Sequence, residues 1–121
     1  MKMKLRDKID ELTLLELFWS EPKIANREDG YWCYEATDDA GRVIRFGLDV
    51  IQESVQIDLK VSGLSLVTLS FELVEAIEII DFDRGQFAFV VAPDIEQAKT
   101  RIEVKLRPDI KVQGYTLKNE S

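Results

Sequence analysis

The sequence predicts an α+β fold: an N-terminal helix packed on a curved, mainly antiparallel meander sheet of about seven strands, half-barrel or barrel-like. Three observations predict it. The hydrophobic period changes from about 3.6 to 2 near Gly30. Residues 53–61 alternate strictly, with Val55, Ile57, Leu59 and Val61 set between Gln56, Asp58 and Lys60, the pattern of a strand with one wet face. Short glycine-bearing turns separate the β-prone segments, at Asp38-Asp39-Ala40-Gly41, Ser62-Gly63 and Asp83-Arg84-Gly85. They are too short for crossovers, so consecutive strands are expected to run antiparallel.

The elements follow in order. Leu5, Ile9, Leu12 and Leu15 recur at helical spacing, with Phe18 or Trp19 extending the stripe, which predicts a helix over 4–19 that lays one apolar face on a sheet and stops before Pro22. Residues 23–30 read as a polar connector. The sheet is expected over 31–117. Its first strand, Tyr31 to Thr37, places Trp32 and Tyr34 under the helix and Tyr31 and Cys33 on the other face. In Arg42 to Val50, Ile44, Phe46, Leu48 and Val50 face inward. Leu64, Leu66, Leu69 and Phe71 suggest another strand. Residues 71–80 fit a helix or a strand, and a bend at 72–75 followed by a strand at 76–82 is preferred, because the turn at Asp83-Arg84-Gly85 needs a strand on each side. Phe87 to Val91 is β-prone. Pro93 to Lys99 is read as one helical turn. Ile102, Val104 and Leu106 alternate with Arg101, Glu103 and Lys105, and a last strand carries Ile110, Val112 and Tyr115, broken by Gly114. Gly47 and Gly114, inside strands, are read as bulges or bends. Residues 118–121 are read as a frayed tail. The 121 residues form a single domain on this reading.

Charge is unevenly placed. Residues 28–83 hold 13 acidic and 3 basic side chains, a balance of −10, against +3 elsewhere, for a net −7. Such a field repels nucleic acid and lipid headgroups and attracts cationic surfaces. The chain has no histidine, which removes the commonest general base and metal ligand. The lone Cys33 cannot form an internal bridge and reads as a small buried hydrophobe. The basic N-terminus lacks the apolar run of a leader, and the expected compartment is the cytoplasm.

No segment carries a catalytic signature. The loop at 35–41 lacks the spacing of a calcium loop. Neither GxGxxG nor GxxxxGK[ST] occurs. Glu72, Glu75 and Glu78 read as a solvated face. Lys99, Arg101, Lys105, Arg107 and Lys111 read as partners for the acidic strands across the sheet. No enzyme activity, cofactor or metal is expected.

The stretch 61–82, Val-Ser-Gly-Leu-Ser-Leu-Val-Thr-Leu-Ser-Phe-Glu-Leu-Val-Glu-Ala-Ile-Glu-Ile-Ile-Asp-Phe, resembles small immunity proteins of bacterial polymorphic-toxin and contact-dependent inhibition systems. The aromatic and histidine-containing N-terminal signature of some such families is absent. The resemblance implies a cytosolic antitoxin without catalysis and transfers no binding residue. Charge and resemblance together give the expected function: an acidic protein that neutralises a basic toxin domain, nuclease-type being the natural target, since a nuclease must itself be basic to hold phosphates. The candidate contact residues are Glu35, Asp38, Asp39, Asp49, Glu53, Asp58 and Tyr31, expected on one rigid outer wall. Nucleic acid and membrane are not expected partners; a homodimer is compatible with the sequence. Two other readings stay open: a small-ligand binder with a pocket lined by Trp32, Phe46, Ile57 and Phe89, and a structural subunit that self-associates through an edge strand or the Trp19 end of the helix.

Overall fold

Residues 1–5, 7, 9–91 and 98–118 are described in the computed structural model. The described chain runs β1 (Lys2–Lys4), α1 (Glu11–Phe18), β2 (Ile24–Asn26), β3 (Tyr31–Thr37), β4 (Arg42–Asp49), β5 (Ser54–Val61), β6 (Leu64–Phe71), β7 (Val74–Asp81), β8 (Gln86–Val91), β9 (Ala98–Lys105) and β10 (Lys111–Lys118). Two antiparallel sheets result, in the orders β2-β3-β4-β5-β6 and β1-β7-β8-β9-β10. About 60% of the described residues are strand and 7% helix. The expected helix on one curved seven-stranded sheet is therefore corrected: the described residues form a mostly-β, two-sheet architecture with one short helix.

Meander order survives inside each sheet, and the break between sheets falls at Glu72-Leu73. A tight hairpin there would pair β6 with β7. Instead Leu73 takes φ 61°, and the Val74 N–H donates to the Glu53 carbonyl at 2.9 Å. The chain leaves the plane of the first sheet and starts the second. Strand β7 thus begins two residues before the expected 76.

The helix differs most from expectation. Residues 2–4 form a strand, with Met3 opposite Ile77. The helix starts at Glu11, where the Asp10 carboxylate accepts the Leu12 and Thr13 N–H groups at 3.1 and 3.3 Å, an N-cap. It ends at Trp19, in the left-handed region at φ 58°, whose N–H reaches the Leu15 carbonyl. Its buried face is Thr13, Leu14, Leu17 and Phe18; of the expected stripe within the helix, Phe18 lies on it and Leu12 is exposed. Leu5 and Ile9 are buried as apolar anchors outside the helix.

An aromatic core joins the layers. Phe18 of α1 stacks on Tyr34 at 5.0 Å and Phe46 at 5.7 Å. Phe46 meets Phe87 of the opposite sheet edge-on at 5.1 Å, and Phe71 meets Phe89 at 5.5 Å. Offset and edge contacts of this kind add about 1 kcal/mol each beyond burial. Trp32, Phe46, Ile57 and Phe89, expected to line a ligand pocket, are all buried in this one core.

The strands read from alternation lie where expected. Ile44, Phe46 and Leu48, then Val55 and Ile57, then Ile102, Val104 and Leu106 are buried. Strand β2 lies within the expected connector, and β10 runs unbroken through Gly114. Gly47 is no bulge either. It pairs in register with Cys33 and Gln56, and a Cβ there would lie 2.9 Å from Tyr31 Oη. The residue is small because Tyr31 lies across it. The expected turn at 93–99 falls largely outside the described residues; Lys99 belongs to β9.

Candidate partner-binding surface

Cross-strand register builds the outer face of the first sheet in rows. Tyr31 stands opposite Asp49, which stands opposite Ser54; Cys33 follows with Gly47, Gln56 and Ser70; then Glu35 with Arg45, Asp58 and Thr68. Tyr31, Glu35, Asp49 and Asp58 are thus brought to one face, as expected. The face is not an acidic wall. Arg45 stands between the acids, its Nε 3.6 Å from Glu35, and Lys60 Nζ lies 3.8 Å from Asp58. Ser65 and Thr68 hydroxyls donate to the same Asp58 oxygen. The Ser65 bond leads in holding the Asp58 carboxyl below its ordinary range, against some burial. A hollow of about 180 Å³, lined by Tyr31, Cys33, Arg45, Gly47, Gln56 and Asp58, opens on this face. Its groups can hydrogen-bond, but they include no nucleophile–base pair of the usual kind. Among the described residues no group of three Cys, Asp or Glu side chains is placed to hold a metal.

Asp38 is a correction. It is 8% exposed and unable to meet a partner. Its Oδ1 accepts the Ala40 and Arg42 N–H groups, and its Oδ2 accepts the Ile110 N–H at 2.9 Å and Arg42 Nε at 2.8 Å. Burial raises its pKa; the Ile110 and Arg42 N–H groups and the Arg42 charge outweigh that and hold the carboxyl low. Asp39 is exposed beside it, at the hairpin tip.

A further group of acids lies elsewhere, at the end of the first sheet where three connections meet. The Val50 N–H donates to the Gly30 carbonyl and the Val74 N–H to the Glu53 carbonyl, both at 2.9 Å. These bonds join 27–30, 50–53 and 72–73 into one surface. Glu28, Asp29, Asp49, Glu53 and Glu72 belong to it, while its Arg27 is tied to Glu11 at 2.8 Å. The Asp49 carboxylate accepts the Ile51 and Gln52 N–H groups, fixing a turn that leaves Ile51 69% exposed. Leu73 is 49% exposed. Glu53 and Leu73 both hold left-handed backbone, at φ 51° and 61°, unusual for side chains of this size. Exposed apolar residues ringed by charge are the composition of a contact patch. Of the expected residues, Asp49 and Glu53 lie here. Glu28, Ile51, Glu72 and Leu73, which lie beside them, were not among the expected residues.

No family model matches the chain, and no curated protein matches it. A solved structure does match in fold. It is described as a contact-dependent growth inhibition toxin–immunity protein complex from Klebsiella pneumoniae 342, and the alignment covers 95% of this chain and 100% of that one, with a TM-score of 0.82 at 23% identity. The chain therefore shares, over nearly its whole length, the fold of a protein chain solved in a toxin–immunity complex.

Proposed function

We propose that this chain is an immunity protein that neutralises a toxin by direct, non-catalytic binding, acts in the cytoplasm, and meets a basic surface on the toxin. The observation that carries the reading is the whole-length match to a chain of a toxin–immunity complex. It converges with the independent resemblance of residues 61–82 to immunity proteins. The end surface gives the reading a physical form. Carboxylates at 28, 29, 49, 53 and 72 steer a cationic partner, and Ile51 and Leu73 are the apolar anchors it desolvates. A nuclease-type toxin suits this surface, because groups that hold phosphate also attract carboxylate.

Calorimetric titration of the toxic domain encoded beside this gene tests the reading. The wild-type chain binds tightly, and binding weakens as salt rises. Glu28→Lys together with Glu72→Lys lowers affinity at low salt by about tenfold or more. Absence of binding by the wild-type chain rejects the immunity role. Undiminished binding by the double variant rejects the acidic end as the contact surface.

A further inference from the structure

Each sheet ends in two edge strands, and three of the four edges are protected. Strands β1 and β2 have three residues each, and β1 carries Lys2 and Lys4. Strand β10 opens with Lys111 and contains Gly114. These are ordinary means of preventing strand addition. Strand β6 has none of them. It is eight residues long, Leu-Ser-Leu-Val-Thr-Leu-Ser-Phe, without charge, proline or glycine. Leu64 is 69% exposed, Leu66 64% and Val67 41%.

We propose that β6 is a homotypic docking edge, where a second copy of this chain adds its own β6 antiparallel across a two-fold axis. The register on β5 defines the faces. Val67, Leu69 and Phe71 stand opposite Leu59, Ile57 and Val55 on the core side; Thr68 and Ser70 stand opposite Asp58 and Gln56 on the outer side. Leu66 is the extra residue where the register shifts. The regular segment is therefore 67–71, and its centre is Leu69. A two-fold axis through Leu69 places Val67 opposite Phe71 of the partner subunit, Thr68 opposite Ser70 of the partner subunit, and Leu69 opposite Leu69 of the partner subunit. Paired residues in an antiparallel ladder share a face, and this register meets that requirement at every position. Apolar meets apolar on the core side and hydroxyl meets hydroxyl on the outer side. The strand is its own complement, as an isologous contact demands.

Charge permits the contact. Two copies of net charge −7 repel overall, but the paired segment is uncharged. The nearest carboxylate on its outer side, Asp58, is already engaged by Ser65, Thr68 and Lys60. The contact joins the two five-stranded sheets into one ten-stranded sheet and covers the exposed side of Val67. It is carried by β6 alone and does not depend on the toxin reading.

Sedimentation equilibrium on the full chain without any partner tests the proposal. The wild-type protein associates from 13.9 kDa to twice that mass within the range up to about 1 mM. Two double variants then fix the register. Thr68→Lys with Ser70→Lys places like charges directly opposite, twice, and raises the dimer dissociation constant at least about tenfold. Thr68→Lys with Ser70→Glu places opposite charges at the same two points and retains association. Both variants change only exposed outer-face positions, and circular dichroism confirms that each is folded. A wild-type chain that stays monomeric throughout this range overturns the proposal. Equal association by the two double variants also overturns it. A β6 edge that binds another protein while this chain stays monomeric counts as the first of these outcomes.

Discussion

Asp38 occupies a hairpin tip, a place where an acidic residue is ordinarily solvated. Its burial was not readable because the decisive partner, the Ile110 N–H, lies 72 residues away. Local alternation, by contrast, placed Trp32 and Tyr34 inside and Tyr31 outside correctly, since the period of a strand is carried by immediate neighbours. The Trp32 indole N–H donates to Glu11 of the helix at 3.0 Å, which is the packing under the helix that was expected. The Asp38 network gives a sharp prediction. Asp38→Asn keeps the shape and the Oδ1 acceptor. It also points an NH2 group at two donors, the Ile110 N–H and Arg42 Nε, and removes the charge opposite Arg42. Leaving buried donors unpaired costs about 3 kcal/mol. Urea unfolding of Asp38→Asn and of wild type measures this. Equal midpoints and slopes would mean that Asp38 is not a structural clamp between the two sheets.

At the scale of elements, the long alternating strands β3, β4, β5 and β9 were legible, and the short elements were not. Three residues cannot display a period, so β1 was absorbed into a helix and β2 into a connector. The helix face was misassigned because Leu5 and Ile9 lie in line with a helical stripe yet precede the Asp10 cap. The division into two sheets depends on the left-handed Leu73, a backbone state a leucine does not advertise. Arg107 was expected to pair with acidic strands. It instead clamps the helix exit to the β7–β8 turn. Its guanidinium donates to the carbonyls of Leu17, Phe82 and Asp83 at 3.0, 2.6 and 2.9 Å and lies 3.4 Å over the Trp19 ring. Three carbonyl bonds and a stacked cation set the expected loss in Arg107→Ala at about 2 kcal/mol, or about 8 °C in Tm. Arg107→Lys recovers less than half, because an ammonium cannot reproduce the planar fork. A calorimetric melt of Arg107→Ala within about 1 °C of wild type would remove Arg107 as an anchor.

For the whole molecule, the charge that dominates the sequence divides into two populations with different work. One is engaged within the fold: Asp38, buried, and Asp58 and Glu103, at the surface, are held low by the hydrogen bonds and cations around them. The Arg101 bond is the leading cause at Glu103. The other is the set at the end surface, Glu28, Asp29, Asp49, Glu53 and Glu72, which the proposed function assigns to a partner. The engaged set predicts the pH dependence of folding. A carboxyl whose folded pKa lies below its unfolded value binds fewer protons in the native state, so it adds stability above the unfolded pKa of about 4 and loses it as pH falls through the folded value. The phenol of Tyr34, pushed up to about 12 by burial first and then by Glu11 and Glu21, acts in the opposite sense. Its Oη finds no hydrogen-bond partner among the described residues. Stability then declines as pH rises past the unfolded tyrosine value of about 10 toward the folded one. With no histidine in the chain, no imidazole titrates between these limits. Thermal melts across pH are therefore expected to show a plateau from about 6 to 8, a fall below about 4 and a second fall above about 10. The acid fall is the steeper, because protonating 23 carboxyls leaves 16 uncompensated Lys and Arg charges repelling one another. Asp38→Asn shortens that acid limb by removing one of its contributors. A melting temperature that holds from pH 7 to pH 3 would show that these engaged carboxylates do not stabilise the fold.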